Sequence, residues 1–288
     1  DRILIKDKVS SATQDKIVII HGTDTMIDTA KVLEGINKTI VLTGSMQPAR
    51  FKNSDATFNV GFALGSALSL SHGVYIAMSG RIFSPKDVKK NRESIIKQLK
   101  LDSKPVFMKQ IHSATVRAAK SPSDNLVCDS CYTTIKGLPL AVLSADCLPI
   151  LISSNDGNKI GVIHAGWRGL ASGIIQKFIK RFSRDPKDLV VWIGPSINPE
   201  NYIIREDVFN KLSKISTKFF SRTKDVGAWH LDLKYVAKII LKQEGVEKIF
   251  LENICTFSNS DQYYSYRREN QTGRVVSVIC INSNDNED

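Results

Sequence analysis

Residues 139–173 read PLAVLSADCLPILISSNDGNKIGVIHAGWRGLASG, and this stretch decides the fold of the larger, C-terminal part of the chain. The apolar runs at Leu140–Ser144 and 160–164 predict two buried strands. After them, apolar residues recur at helical spacing over 170–182, which predicts an amphipathic helix packed against a sheet. Strands and helices therefore alternate around this stretch.

The alternation continues towards the C-terminus. Runs at 189–194, 248–254 and 275–281 predict further buried strands. A helix is predicted over 231–244, because Gly245 is a typical residue to follow a helix end. These elements together predict a mixed α/β layered domain.

The N-terminal part has a more regular pattern. Short β-branched runs end in glycine at 16–22, 38–44 and 73–80, and helical spacing separates them at Met26–Leu33 and 57–70. Such a pattern is typical of a parallel sheet with crossover helices. Ligands of these sheets bind at the carboxyl ends of the strands, where residues 21–24 lie.

A helix is predicted to begin near Ser84, because proline follows it and is favoured at the first helical position. This change of pattern places a boundary after residue 84. We predict three regions, namely an N-terminal fragment (1–84), a main domain (85–282) and a polar tail (283–288).

Composition excludes several classes of protein. The 288 residues are 42% hydrophobic and 24% charged, as in ordinary folded proteins. The sequence has no apolar run long enough to span a bilayer, and its net charge of +11 is not gathered into a basic, aromatic-interleaved motif. We therefore expect neither membrane nor nucleic acid as a partner. The five cysteines are an odd number, which favours a reducing, cytoplasmic location.

Three side chains that bind metals follow predicted strands. His112, Cys147 and His164 are far apart in sequence, so that only the fold can bring them together. Two imidazoles and a thiolate would form a three-ligand zinc site with an open fourth position, which is the catalytic arrangement. A single histidine or cysteine after a strand is more often a packed structural residue, so spacing alone leaves both interpretations open.

The residues around these side chains carry a resemblance. They are QIHS (110–113), PLAVLSADCLPIL (139–151), IGVIHAGWRGLASG (160–173), IGPSI (193–197), Cys255-Thr256 and YYSYRRENQTGR (263–274). Over roughly residues 86–282 the chain resembles the YfiH-like laccase-domain family, also called polyphenol oxidases or peptidoglycan editing factors. The resemblance implies zinc held by His112, Cys147 and His164. It also implies phosphorolysis of adenosine, inosine and methylthioadenosine, together with adenosine deamination.

Catalytic and substrate-binding residues follow from that implied chemistry. Cys147, Asp146 and Arg168 are the predicted catalytic residues, with Asp146 a candidate proton shuttle. Phosphate needs cations, which Arg168 and three further arginines could supply: Arg267, Arg268 and Arg274. Aromatic residues could stack on the base, although core packing is their commoner role: Trp167, Tyr263, Tyr264 and Tyr266. The Cys128–Cys131 spacing suits a redox pair or zinc knuckle, but an ordinary pair of thiols is the favoured interpretation.

The N-terminal part resembles another family. HGTDTM (21–26), LTGSMQPARFKNSDATFN (42–59) and GVYIAMSGRIF (73–83) are similar to bacterial asparaginases. This resemblance implies that Thr23 and Asp24 bind substrate, with Lys90 as a partner, although Thr23-Asp24 could simply cap the following helix. The chain departs from the family, because no nucleophile-bearing Thr-Gly-Gly-Thr turn precedes residue 16. We therefore expect no asparaginase activity and a junction of two truncated sequences near residues 80–90.

Other functions remain open. Cys147 could be the nucleophile of a cysteine hydrolase that acts in peptidoglycan editing, with His112 or His164 as its base. A copper phenol oxidase would need more metal ligands than these three. An inactive fusion that serves as an interaction module is the non-enzymatic alternative, since the main domain lacks the family's opening segment.

Overall fold

A computed structural model describes residues 2–22, 25–45, 56–78, 81–84, 95–270 and 272–282. The chain divides into two compact units, Asp1–Ile95 and Ile96–Asp288. Within the described residues, no helix is both long and apolar enough to cross a membrane.

The first unit contains a four-stranded sheet with strands in sequence order. Its strands are β1 (Lys16–Ile20), β2 (Thr39–Thr43), β3 (Gly73–Met78) and β4 (Arg81–Phe83). Its described helices are α1 (Arg2–Ser11), α2 (Met26–Leu33) and α3 (Ala56–Ser69). Strands β1, β2 and β3 are parallel, and β4 turns back antiparallel to β3. The parallel sheet with crossover helices is thus confirmed.

Helices α2 and α3 bury different groups of residues in this unit. Leu33 of α2 packs in a cluster with Ile40 and Leu42 of the central strand β2. Ala63 of α3 belongs to a second cluster with Val41. Because successive side chains of a strand point to opposite faces, β2 supplies residues to both clusters.

The second unit is a mixed α/β domain, as the sequence predicts, and its described strands form three sheets. Its strands are β5 (Val106–Lys109), β6 (Val116–Ala118), β7 (Ser123–Val127), β8 (Ser130–Thr133), β9 (Leu140–Ser144), β10 (Leu148–Ser154), β11 (Ile160–Ala165), β12 (Leu189–Ile193), β13 (Ile203–Arg205), β14 (Phe220–Arg222), β15 (Ala228–Leu231), β16 (Lys248–Leu251) and β17 (Val275–Ile279). Its described α-helices are α4 (Trp167–Ala171), α5 (Ile174–Phe182), α6 (Glu206–Leu212), α7 (Leu233–Gln243) and α8 (Tyr266–Glu269).

The largest sheet has the strand order β16-β12-β10-β11-β8-β6. Helix α5 covers it, and five apolar residues of this helix are buried: Ile174, Ile175, Phe178, Ile179 and Phe182. A Cβ atom at Gly161 of β11 would overlap the Phe178 ring, so a glycine there allows the helix to lie directly on the strand. The other sheets have the orders β17-β9-β5-β7 and β13-β15-β14.

Three sequence predictions are wrong in detail. The strand predicted as buried over 275–281 is β17, which ends at Ile279 and is half-buried throughout. The helix predicted over 170–182 is two helices, because Gly173 takes a left-handed conformation (φ +76°) that separates α4 from α5. The strand predicted as buried over 248–254 is β16, which ends at Leu251 and leaves Phe250 58% exposed. It is exposed because it lies at the edge of the largest sheet.

Candidate metal centre

The thiol of Cys147 lies in the short connection between β9 and β10. Asp146 has a left-handed backbone (φ +90°), a conformation that costs a non-glycine residue about 1 kcal/mol or more and allows the tight turn between the strands. In the antiparallel pairing of β10 with β11, Leu148 faces Ala165 and Pro149 faces His164. The register therefore places Cys147 beside the end of the strand that carries His164.

His112 reaches the same place from the loop after β5. The ligand atoms of His112, Cys147 and His164 all lie within 4.8 Å of one another. The two imidazole rings are 4.9 Å apart and nearly perpendicular, at 76°. Three segments distant in sequence thus bring two nitrogens and one sulfur to a single point.

Gly166 leaves room for this cluster. A Cβ atom at residue 166 would lie 2.9 Å from Cys147 Sγ and 3.5 Å from a ring carbon of His112. The first distance is closer than atoms can pack without displacement. The backbone can pass this close to the thiol only because residue 166 has no side chain.

Cys147 and His164 shift each other's pKa values in opposite directions. Burial raises the pKa of the Cys147 thiol, but His164 and His112 outweigh that effect and lower it to about 6. Burial likewise lowers the pKa of His164, whereas the Cys147 thiolate and Asp129 raise it to about 9. The arrangement therefore favours a thiolate, which is the form of cysteine that binds metals.

Asp129 contacts both histidines of the cluster and was not predicted as a site residue. Its side chain is 0% exposed, and one carboxylate oxygen lies 2.9 Å from both the His112 backbone nitrogen and His164 Nδ1. Burial raises the pKa of Asp129, but hydrogen bonds from His164 and Ser113 hold it below its usual range. Asp129 is difficult to recognise from the sequence, because it lies between Cys128 and Cys131, whose spacing suggests a redox pair or a zinc knuckle.

Those cysteines, Cys128 and Cys131, are buried free thiols. Their mutual hydrogen bond lowers the pKa of Cys128 and raises that of Cys131. Among the described residues, the His112–Cys147–His164 group is the one cluster of three or more metal-binding side chains, and it does not include them. An ordinary pair of packed thiols accounts for their position.

The carboxylate of Asp146 accepts hydrogen bonds from the C-terminal segment. Thr256 Oγ1 donates to one oxygen at 2.6 Å. The other oxygen accepts from Ser265 Oγ at 3.1 Å and from the Arg267 backbone N–H at 2.7 Å. These bonds favour a positioning role, whereas the predicted proton-shuttle role stays a prediction.

The four predicted arginines differ in what they contact. The Arg168 guanidinium is exposed and lies 4.4 Å from the centre of the Trp167 ring. Arg267 lies 5.0 Å from the centre of the Tyr202 ring and donates one bond to the Ile203 carbonyl. Both guanidiniums keep N–H groups that no described contact uses, so they could bind an anion.

Arg268 and Arg274 have protein acceptors instead. Arg268 donates to the carbonyls of Thr256, Phe257 and Tyr263, and twice to Glu269. These bonds use all five N–H groups of the guanidinium, so the geometry favours a structural role over phosphate binding. Arg274 is exposed and bonds to the neighbouring Thr272 and Gly273 carbonyls.

The aromatic residues near the site include one that sequence reasoning missed. Burial raises the pKa of Tyr202, and the Cys147 thiolate adds to that effect, while Arg267 and Arg168 oppose it. The charges of the Cys147 thiolate and of both arginines thus act on the Tyr202 hydroxyl.

Lys211 was also missed; its ammonium lies 5.2 Å from the centre of the Trp167 ring. Of the predicted tyrosines, Tyr264 and Tyr266 are exposed and Tyr263 is half-buried.

The predicted asparaginase-like residues Thr23, Asp24 and Lys90 lie outside the described residues. In the same unit, His21 is described, and its ring nitrogens contact the Thr29 hydroxyl at 2.9 Å and the Gly22 carbonyl at 2.7 Å. These are local contacts between the end of β1 and helix α2.

Known families match both parts of the chain. The family described as multi-copper polyphenol oxidoreductase laccase matches residues 82–282, and the family described as asparaginase, N-terminal, matches residues 3–123. Both resemblances found in the sequence are thereby confirmed.

Similar proteins carry one recurring name. A purine nucleoside phosphorylase of Haemophilus influenzae is 35% identical over 196 residues, which cover 67% of this chain and 80% of that protein. Purine nucleoside phosphorylase PA4543 of Pseudomonas aeruginosa is 30% identical over 237 residues, 81% of this chain and 95% of that protein. The crystal structure of Neisseria meningitidis protein NMB0706 is similar with a TM-score of 0.63 at 31% identity, covering 69% of this chain and 83% of that one.

The family match covers more than half of the chain, and these relatives match the part that contains the His112–Cys147–His164 cluster. The chain therefore belongs to the multi-copper polyphenol oxidoreductase laccase family, the YfiH-like laccase-domain proteins.

Proposed function

We propose that the chain is a zinc-dependent purine nucleoside phosphorylase that acts on adenosine, inosine and methylthioadenosine, with adenosine deamination as a second activity. The observation that carries the proposal is the convergence of the ligand atoms of His112, Cys147 and His164 within 4.8 Å of one another. The relatives named purine nucleoside phosphorylase support an enzyme that uses nucleosides and phosphate.

The donor set fits zinc. Two imidazoles and one thiolate are ligands that zinc prefers, and three protein ligands leave a fourth position for substrate or water. The space that Gly166 leaves beside the thiol also suits an ion. A multi-copper oxidase needs several metal centres, whereas the described residues contain one such cluster. We therefore propose zinc rather than copper chemistry.

Phosphate binding is assigned to Arg168 and Arg267. Both have N–H groups available and both act on Tyr202, which is also in the field of the Cys147 thiolate. A pair of guanidiniums can hold a phosphate dianion through charge-assisted bonds. A phosphate bound by Arg267 would lie near the Tyr202 ring.

In the proposed phosphorolysis, a phosphate oxygen bonds to ribose C1′ while the bond from C1′ to the purine nitrogen breaks. The electron pair leaves with the base, the proton of the hydrogen phosphate passes to the purine, and the products are the free purine and ribose 1-phosphate. In deamination, water replaces the exocyclic amine and ammonia leaves. The metal supplies Lewis-acid chemistry when bound. Asp146 holds the loop of Cys147 and the backbone of Arg267 in place through its hydrogen bonds.

We also propose that residues 85–282 form the catalytic domain and residues 1–84 a separate asparaginase-like fragment. The family match begins at residue 82, and the division between the compact units falls after Ile95. We propose in addition that full activity requires the family's opening segment, which residues 85–282 lack.

The leading alternative is a cysteine hydrolase that uses Cys147 as its nucleophile. Such an enzyme needs one histidine as base and no metal, whereas two imidazoles contact this thiol. We would assay the purified protein with adenosine and phosphate and determine its zinc content, with Cys147→Ala as the matched variant. The proposal predicts about one zinc per chain, adenine and ribose 1-phosphate as products, and loss of both zinc and products in the variant. A protein that contains no zinc and gives no product from adenosine would favour the hydrolase, and zinc binding without product would favour an inactive fusion.

A further inference from the structure

We infer that Asp129 is a positioning residue that holds two of the three metal ligands, His112 and His164, in the geometry needed to bind the ion. This inference rests on the metal-binding part of the proposed function. It concerns a residue to which neither the sequence motifs nor the family resemblance gives a role.

Five nitrogen or oxygen atoms lie within hydrogen-bond distance of the buried Asp129 carboxylate. Oδ1 accepts from the His112 backbone N–H at 2.9 Å and lies 2.9 Å from His164 Nδ1. Oδ2 accepts from the backbone N–H groups of Ile111 and Ser113, at 3.2 and 2.7 Å, and from the Ser113 hydroxyl at 2.8 Å. One side chain therefore contacts both segments that bring imidazoles to the cluster.

The contact with His164 determines which ring nitrogen faces the metal position. An ionised carboxylate can only accept, so Nδ1 of His164 carries the proton. Its Nε2 is then the nitrogen left for a metal ion. Metal-binding histidines usually have such a partner on the other nitrogen, which fixes the ring orientation and increases its basicity.

The contacts with the other segment hold His112 in a rare conformation. His112 has φ +57°, in the left-handed region that residues with a side chain seldom adopt. Three consecutive backbone N–H groups, from Ile111 to Ser113, point at the Asp129 carboxylate. These bonds stabilise the turn that directs the His112 ring at Cys147.

Charge balance gives a second reason for a carboxylate at this position. Two neutral imidazoles and one thiolate compensate only half of the charge of a divalent cation. Asp129, with 0% exposure, brings the second negative charge without occupying a coordination position. An asparagine would keep the shape of the side chain but lose this charge and one acceptor oxygen.

The test measures metal binding with Co²⁺ alone, in Asp129→Asn and in the metal-free parent chain. We expect the affinity for Co²⁺, measured by competition with a chelator, to fall about 10- to 100-fold in Asp129→Asn. The visible absorption of bound Co²⁺ should also change, because it reports ligand geometry. Asp232→Asn is the matched control, since Asp232 accepts a backbone N–H bond at the start of α7 and is outside the metal cluster.

Ser113→Ala keeps the test decisive if Asp129→Asn does not fold. This variant removes one donor to Asp129 and leaves the carboxylate in place, so we expect a smaller loss of Co²⁺ affinity with the absorption shifted in the same direction. Parental affinity and absorption in Asp129→Asn, or in Ser113→Ala when the former cannot be purified, would overturn the inference. If the parent chain binds Co²⁺ and the variants bind it equally well, the proposed function survives and this inference does not. A parent chain that binds no metal would overturn both.

Discussion

The backbone N–H of Arg267 lies 2.7 Å from a carboxylate oxygen of Asp146, the residue that precedes Cys147 of the candidate metal cluster. This bond connects the segment of a proposed phosphate-binding arginine to the loop of the metal cluster. Asp146 also accepts a 2.6 Å bond from Thr256, so its carboxylate joins its own loop to a C-terminal segment that is remote in sequence. A change at Asp146 should therefore affect both phosphate binding and stability.

We expect Asp146→Ala to lower the free energy of unfolding by about 3 kcal/mol, because it leaves two buried hydroxyls and one half-buried backbone N–H without their acceptor. The variant should also raise the KM for phosphate, because the Arg267 backbone loses its anchor. Urea denaturation and initial-rate kinetics measure the two effects. The control is Asp225→Ala, which removes an exposed carboxylate and should leave both quantities nearly unchanged; equal effects of the two substitutions would contradict the role of Asp146.

Arg267→Ala and Arg168→Ala should each raise the KM for phosphate about 10-fold or more, because each removes charge-assisted bonds to the anion. Arg268→Ala should instead lower the free energy of unfolding by about 3 kcal/mol, since its five N–H groups bond to the protein. Steady-state kinetics over a range of phosphate concentrations separate the two classes. An unchanged KM in Arg267→Ala, or a raised KM without loss of stability in Arg268→Ala, would reverse the assignment.

Gly166→Ala should weaken zinc binding, because the added Cβ would lie 2.9 Å from Cys147 Sγ. The thiol or the backbone must then move, and we expect an affinity loss of about 10-fold or more. Chelator competition measures the affinity. Gly61→Ala is a suitable comparison, because nothing lies within 4 Å of its added Cβ in helix α3. Tight zinc binding by Gly166→Ala would show that the close approach at this glycine is not required.

The metal-free protein should react readily with iodoacetamide at Cys147. Burial opposes the thiolate, but His164 and His112 lower the pKa of this thiol to about 6, so the reactive form already predominates at pH 7. The alkylation rate, followed by mass spectrometry, should rise through a midpoint near pH 6. Zinc should protect the thiol. A midpoint near the ordinary pKa of cysteine would contradict the claim that His164 and His112 lower the pKa of Cys147.

The sequence could predict the three residues of the candidate metal cluster, because each lies within a recognisable motif at a strand end. It could not predict Asp129, since its role depends on hydrogen bonds to residues 111–113 and His164, which come together only in the fold. The same limit applies to Arg267 and Arg268, adjacent residues that have different partners because they point in different directions from a short helix.

Some elements of the fold can be predicted from the sequence and others cannot. Apolar periodicity predicts the parallel sheet of the first unit and the covering helix α5. It does not predict α1, in which Val9 is the one buried residue. Periodicity also cannot distinguish an edge strand such as β16 from a central one, because position in a sheet depends on pairing with distant strands. Gly173 could be recognised as a break only from its left-handed backbone.

The central claim is that this chain splits purine nucleosides with phosphate at a zinc site formed by His112, Cys147 and His164. The most direct test is phosphorus NMR of zinc-loaded protein incubated with adenosine and phosphate, with adenine quantified in the same samples. The claim predicts ribose 1-phosphate and adenine in equal amounts, and neither product with Cys147→Ala. Free ribose in place of ribose 1-phosphate, or no cleavage by the zinc-loaded protein, would contradict it.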